Sequence, residues 1–468
     1  MNDHHGSLGS NAGADENHGL KGMFSAFEVI PFRWVWTAAL SGNSGRFAVI
    51  LVAGWEAYRL GHHSSFWPSM VSMLLLIPSM LFGLLAGSAA DRRNRARMAA
   101  VGQLVNAISC TLATLFITTG NLNLSNLLIF VTAIGIGNSI QGPAWQAMIP
   151  DLVGRDRLLN ASMNARIAQQ GAELTGPAVA TLVLTGIGPG AAFLVCAVFY
   201  YVGVAMLWHV RRATLTPDRE SERPHVFRQV AEGFSYIRKT APLGTMLIWV
   251  GLHCSLTMAS VGILPAVATS NLNGNAAAYG LLLTAFGFGS VVGPLFMMAF
   301  GRRLPAVPIL ITSGIFSGLP LVSLGLVHNL GVALVSSAIA GGSQAVFMAG
   351  IYSANQGVAT DQMRGRVASV QLSLTTGAMG VAGIGWGALV TFISPGVILA
   401  LPGALFVFIC IPFALRRGAM NKALQPHDAA EPSEILAMDS PGGHAGLARL
   451  RPLAILRDLV AGDRIRGL

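Results

Sequence analysis

The sequence predicts an all-α polytopic membrane protein, with twelve transmembrane helices in two pseudo-symmetric bundles of six. Three observations predict it. First, 53% of the 468 residues are hydrophobic and only 11% are charged, against roughly 25% charged in a soluble domain. Apolar segments recur at the ~20 residues that a membrane-spanning helix needs. They are too long, and alternate too little, for the strands of a membrane barrel. Second, basic residues cluster in alternate turns, at 92–97, 155–157, 211–239, 302–303 and 364–366 and in the C-terminal tail. The intervening turns at 120–125, 186–190, 271–275, 328–330 and 394–396 hold no Lys or Arg. That bias marks the cytoplasmic side, so the chain is expected in the inner (plasma) membrane with both termini cytoplasmic. Third, the two halves repeat. Gly83-Leu-Leu-Ala-Gly87 before one basic turn matches Gly289-Ser-Val-Val-Gly293 before another, and Asp156-Arg157 matches the segment from Asp361 to Arg366. Both offsets are about 205 residues, and paired bundles of this kind are a transporter architecture.

Taken in order, residues 1–31 form a polar cytoplasmic tail without the apolar stretch of a secretory signal. Its histidines (His4, His5, His18) lack a specific metal spacing. The first bundle, 32–210, holds spans at about 32–60, 65–90, 98–119, 124–149, 159–184 and 191–210. A cytoplasmic linker, 211–242, follows. In it Val226, Val230, Phe234 and Ile237 recur at helical spacing against Arg228, Glu232, Arg238 and Lys239. The pattern predicts an amphipathic helix, either lying on the membrane surface or packed as a linker. The second bundle, 243–415, holds spans at about 243–270, 277–300, 306–327, 331–359, 366–393 and 397–415. Residues 416–468 form a cytoplasmic tail with a short basic apolar stretch at 447–460.

The composition excludes several functions. The net charge of +10 sits in membrane-flanking turns and tails, so no nucleic-acid partner is expected. Cys110, Cys196, Cys254 and Cys410 each lie inside an apolar segment, a place for packing rather than for zinc or disulfides. No phosphate-binding Gly-x-x-x-x-Gly-Lys loop appears, so ATP drive has no support. No nucleophile–base pair or metal-ligand cluster marks an enzyme, and no cofactor is expected.

The turn Gly87-Ser-Ala-Ala-Asp91-Arg92-Arg93-Asn94-Arg95-Ala96-Arg97 resembles the signature between helices two and three of the major facilitator superfamily. Asn94 stands where the family has glycine, a tolerable change because Asn also enters left-handed turns. Pro143-Ala-Trp-Gln-Ala-Met-Ile-Pro150, Gly176-Pro177-Ala-Val, the 275–287 segment with Tyr279-Gly280, and Arg364-Gly365-Arg366 resemble the enterobactin-exporter-like efflux branch. The resemblance runs from about Phe32 to Leu415. It implies the superfamily fold, with Asp91, Arg92, Arg95, Arg97, Asp361, Arg364 and Arg366 as a conformational gate and Gly176 and Pro177 as an antiporter-like motif in helix five. It also implies that helices one and five are neighbours. Trp145 is a departure, since relatives often carry arginine there.

Few ionisable residues fall within the spans, and an unpaired charge at mid-bilayer costs at least ~2.5–3.5 kcal/mol. Arg46 and Glu173 lie halfway along helices one and five. Relatives typically show the opposite signs at both places, so an Arg46–Glu173 ion pair near the midplane is expected. Its roles are a proton site on Glu173 tuned by Arg46, or a permanent structural staple. Glu56 is a second proton candidate, or a group reaching the headgroups. Arg166, Gln169, Gln170 and Glu173 share one stripe of helix five. Asn43, Asn138, Gln141, Trp145, His253, Gln344 and Tyr352 complete the candidates for a central cavity. His253 reads either as a titrating group or as a hydrogen-bonded buried histidine.

These readings describe a secondary transporter that exports a small amphipathic molecule, siderophore or drug-like, by alternating access with protons as the coupled partner. An importer of the same fold, and a non-transporting membrane scaffold or sensor, remain the alternatives.

Overall fold

The computed structural model describes residues 25–90, 94–210, 226–300, 305–360 and 362–415. Within them the chain is helical. A short 3-10 turn, Ser25–Glu28, leads into α1 (Ile30–Leu60), α2 (Phe66–Ala90) and α3 (Arg95–Thr118). One helical stretch, Leu124–Gly186, breaks at Gly154, whose φ of 72° only glycine adopts freely. It is therefore two spans, α4 (Leu124–Gly154) and α5 (155–186). α6 (Pro189–Val210) closes the first half. After α7 (Val226–Lys239) comes a seventh span in three pieces: α8 (Ala241–Leu256), a 3-10 segment (Met258–Ile263) and α9 (Leu264–Ser270). Then follow α10 (Ala276–Phe300), α11 (Ala306–Leu326), α12 (Leu330–Val358), α13 (Arg364–Leu389) and α14 (Pro395–Leu415).

Nine of these spans are long and apolar enough to cross a membrane, among the described residues. α1 and α5 have the length but carry the internal charges, Arg46 and Glu173. The sequence placed the twelve spans within a few residues of where they stand. It missed the break in the seventh and the near-continuity of α4 with α5.

Helix starts follow local chemistry. Asn94, Asn123 and Asn329 cap α3, α4 and α12, their side-chain oxygens accepting from the backbone N–H three residues on. Asn94 has φ −63°, so it acts as an extended cap, and the left-handed turn expected of it is not formed. Within the spans, hydroxyls of Thr111, Thr132, Thr312 and Ser343 turn back onto carbonyls four residues earlier. This satisfies them where lipid offers no partner. Large apolar side chains such as Leu182, Val381, Phe392 and Phe408 point outward.

The packing repeats between halves. α3 lies on α6 as α11 lies on α14, and α2 lies on the α4–α5 stretch as α10 lies on α12. Small residues allow this closeness: Gly102 and Gly137 face each other between α3 and α4, and Gly318 and Gly403 do so between α11 and α14. Two helix pairs join the halves, α5 with α10 and α2 with α13.

Twelve alternating spans put the start of α1 and the end of α14 at one end, called here the terminal end. The opposite end is distal. At the distal end the halves share one hydrophobic core, in which Ala53 and Ala57 of α1 meet Ile263, Leu264, Val267 and Tyr279. Tyr58 hydrogen-bonds Thr269 at 2.8 Å, and Trp55 stacks on Tyr279 at 6.3 Å. At the terminal end each half keeps its own core. One holds Val35, Ala99, Met148 and Leu207, and the other Ile237, Leu243, Val367 and Val370. Ile237 of α7 is thus buried against α8 and α13, and Glu232 pairs with Arg366 at 2.9 Å. The amphipathic helix is a packed element of the second half, with Phe234 left exposed.

Candidate functional site

Between the halves lies a cavity of about 160 Å³. α1 contributes Arg46, Phe47 and Ile50, and α5 contributes Glu173 and Pro177. Serine and threonine hydroxyls (Ser69, Ser72, Thr257, Ser260, Ser337), Gln344 and apolar side chains make the remaining wall. Among the described residues, Arg46 and Glu173 are the only charged ones that line it.

The neighbourhood expected for α1 and α5 is present. Ser44 and Thr175 share a hydrogen bond of 2.7 Å. A Cβ on Gly176 would collide with the Ser44 carbonyl, so only glycine permits this approach. Arg46 and Glu173 each stand two residues from that contact, Arg46 beyond Ser44 and Glu173 before Thr175. They are turned into the cavity and form no ion pair with one another in this conformation. The Arg46 Nε is buried without a hydrogen-bond partner, and its guanidinium lies 5.8 Å from the Phe47 ring. Glu173 instead faces the Ser290 side chain of α10, across the interface. One turn earlier, the Gln170 amide donates to the Ser290 carbonyl at 2.9 Å. The structural staple is therefore absent here, and the two charges share a compartment rather than a bond.

Among the lining residues that sequence reasoning missed, the largest group from one span comes from the seventh. Thr257, Met258, Ala259, Ser260 and Val261 lie in or beside its 3-10 segment. A signal was available: Thr257, Ser260 and Gly262 precede Pro265 within an otherwise apolar stretch. Interrupted helices often mark binding sites in transporters, and 3-10 segments within helices often mark hinges.

A family model described as transmembrane secretion effector matches residues 21–442. The chain belongs to that family. Membership and the apolar spans make it a multi-pass membrane protein of a secretion effector family. It is 25% identical over 264 residues to macrolide efflux protein A of Streptococcus pyogenes, a match covering 56% of this chain. That match spans 65% of the relative's own length. It is 24% identical to the multidrug efflux pump Tap of Mycolicibacterium fortuitum, covering 74% of this chain and 86% of the relative. Among solved structures, a POT family transporter in complex with 5-aminolevulinic acid superimposes with a TM-score of 0.68 at 11% identity. That superposition covers 83% of this chain and 96% of the other. At such identity it speaks to the fold alone.

In this family member the other candidate residues are dispersed. Of the polar set expected to line one cavity, Gln344 does so. Asn138 and Gln141 belong instead to a buried amide cluster inside the first half, where Asn138 Oδ1 accepts from Asn106 and from Gln141, each at 2.9 Å. The Trp145 indole lies in the same half, near Gly42, with its Nε1 buried and unpartnered. Asn43 donates to its own helix at Ala39. Gln169 is exposed. Tyr352 takes the Arg166 guanidinium over its ring at 5.3 Å, another contact between the halves.

Two expectations need correction. Glu56 does not reach outward: it is 1% exposed and holds Arg59 at 2.6 Å. His253 is fully buried but not hydrogen-bonded. Its ring stacks on Phe347 at 4.2 Å and meets Phe406 edge-on, and both ring nitrogens lack partners. These apolar neighbours crowd out any acceptor.

Among the gate residues, Asp91, Arg92 and Asp361 lie outside the described residues, as do residues 1–24 of the N-terminal tail and the whole C-terminal tail. Arg95 pairs with Asp151 and donates to the Ala147 carbonyl at 2.9 Å, tying α3 to the end of α4. Arg97 gives its backbone N–H to the Asn94 cap. Arg364 donates to the Gln356 carbonyl at 3.0 Å, and Arg366 holds Glu232. These ties run within each half.

Proposed function

We propose that this protein is a proton-coupled exporter of small amphipathic molecules, siderophore-like or drug-like, working by alternating access in the inner membrane. Residues 32–210 and 243–415 are the two rocking bundles. The linker 211–242 and the tails 1–31 and 416–468 face the cytoplasm with the terminal end. The reading rests above all on one observation: a cavity between the halves holds two opposite intramembrane charges, Arg46 and Glu173, beneath a distal seal. Family membership and the efflux relatives support the outward direction.

Glu173 is the proton site. It sits where α5 of one half meets α10 of the other, so its surroundings change whenever the halves move. The cavity of about 160 Å³ is smaller than the ~300–1,000 Å³ of drug-sized pockets. A larger substrate therefore enters as the terminal ends part. The test uses the full chain in proteoliposomes, with erythromycin and a fluorescent naphthyl amino acid as probes. An exporter accumulates a probe in acid-inside vesicles while their lumen becomes alkaline, and Glu173→Gln abolishes gradient-driven accumulation but retains probe exchange. Accumulation only in acid-outside vesicles would establish an importer, and accumulation indifferent to pH would remove protons from the mechanism.

A further inference from the structure

Two opposite charges in one low-dielectric compartment normally collapse into an ion pair, because each is costly alone. Here they do not, although their helices touch at Ser44 and Thr175 and no other charged side chain among the described residues lines the cavity. The Arg46 guanidinium brings donors and finds no acceptor for Nε. Glu173 lines the same cavity with no cation in contact, and the Ser290 hydroxyl nearby donates to its own helix at the Gly287 carbonyl at 2.9 Å. The wall around them is aliphatic, aromatic and thioether carbon, relieved by hydroxyls and one amide.

We infer that the substrate is an amphipathic zwitterion: an anionic carboxylate-like group taken by Arg46, an ammonium taken by Glu173, and an apolar body against the surrounding wall. This rests on the transporter reading above and makes its substrate specific. The charge arithmetic favours a zwitterion over either single ion. A lone cation would leave Arg46 unanswered, and a lone anion would leave Glu173 unanswered. A lone anion would also enter together with a proton on Glu173, which couples the two in the same direction. An ammonium competes with the proton for Glu173 instead, and competition for one site gives exchange.

The experiment measures equilibrium binding to the purified full chain in detergent, by naphthalene fluorescence, so it does not depend on transport. Three probes share one body: 1-naphthylmethylamine, 1-naphthylacetate and 3-(1-naphthyl)alanine. The zwitterion is expected to bind at least tenfold more tightly than either single-charge probe, since a charge-assisted hydrogen bond contributes about 1.5–3 kcal/mol. Arg46→Gln should weaken the naphthylalanine and naphthylacetate probes about tenfold and spare the amine, and Glu173→Gln should weaken naphthylalanine and the amine about tenfold and spare naphthylacetate. Arg46→Lys, which keeps the charge, should retain most of the zwitterion's advantage and shows that the site survives substitution. Equal affinity for the three probes, no binding of any, or a uniform loss in both Gln variants would overturn the inference. Gradient-driven erythromycin transport with no zwitterion preference would sink this inference and leave the exporter standing. Zwitterion selectivity without proton-driven flux would do the opposite.

Discussion

At the scale of single residues, burial separates groups that the sequence presents alike. Glu56 and Glu173 are both carboxylates inside a span. The first is held by Arg59 one turn away, while the second faces the opposite half and a cavity. His253 read either as a titrating cavity group or as a hydrogen-bonded buried histidine, yet it is enclosed by Phe347 and Phe406 with no partner for its ring nitrogens. An unsatisfied buried polar group costs about 1–3 kcal/mol. His253→Leu should therefore stabilise the protein by about 1 kcal/mol, a rise of roughly 1–3 °C in the melting midpoint followed by tryptophan fluorescence. Transport should not change, and a loss of proton coupling in this variant would show that the imidazole is used after all. The sequence identified Arg46 and Glu173 as important because charges within a span are rare. It brought the two into one compartment but not the direct ion pair, which is not made in this conformation, because an ion pair depends on which way two side chains turn and spacing does not encode that.

At the scale of helices, contact is governed by glycine. Gly176 brings α5 against the Ser44 carbonyl of α1, and Gly287 brings α10 against the α5 backbone at Glu173 and Leu174. Gly176→Val would force α1 and α5 apart at the depth of the two charges. Overpacking of this kind costs about 1–3 kcal/mol. The expected result is a lower melting midpoint with weaker probe binding, while the same substitution at the half-buried Gly142, where a side chain would meet nothing within 4 Å, should leave both unchanged. Comparable losses at the two positions would refute the close-approach argument. Spans were legible in the sequence because apolar length is local. The 3-10 segment at Met258–Ile263 left only a faint mark, because Ser260 and Gly262 stay within the tolerance of an ordinary membrane helix. Gly262 is needed because a side chain there would strike Ser69 of the other half, a fact of tertiary packing.

At the scale of the molecule, the two ends differ. The distal ends share a core, and the terminal ends have separate ones. Locking the distal seal should stop the cycle. A Cβ on Gly387 of α13 would stand 2.7 Å from the Ser69 Cβ of α2, close enough that slight separation reaches the ~3.5–4.5 Å of a disulfide. Oxidised Ser69→Cys/Gly387→Cys protein should retain probe binding and lose transport, and reduction should restore it. The native cysteines, all free and buried, should interfere little. Transport that persists through complete cross-linking would show that the distal end need not open. The duplicated halves were legible from an offset of about 205 residues. The asymmetry between the ends was not, because either conformation is compatible with one sequence.

The single distal core has a thermal consequence. Parting those ends wets apolar surface that the present conformation keeps dry, and the penalty for wetting it is largely entropic near room temperature and weakens on cooling. Chilling therefore loosens the clasp, so the resting balance between the two faces of the membrane shifts with temperature even when no solute and no voltage bears on it.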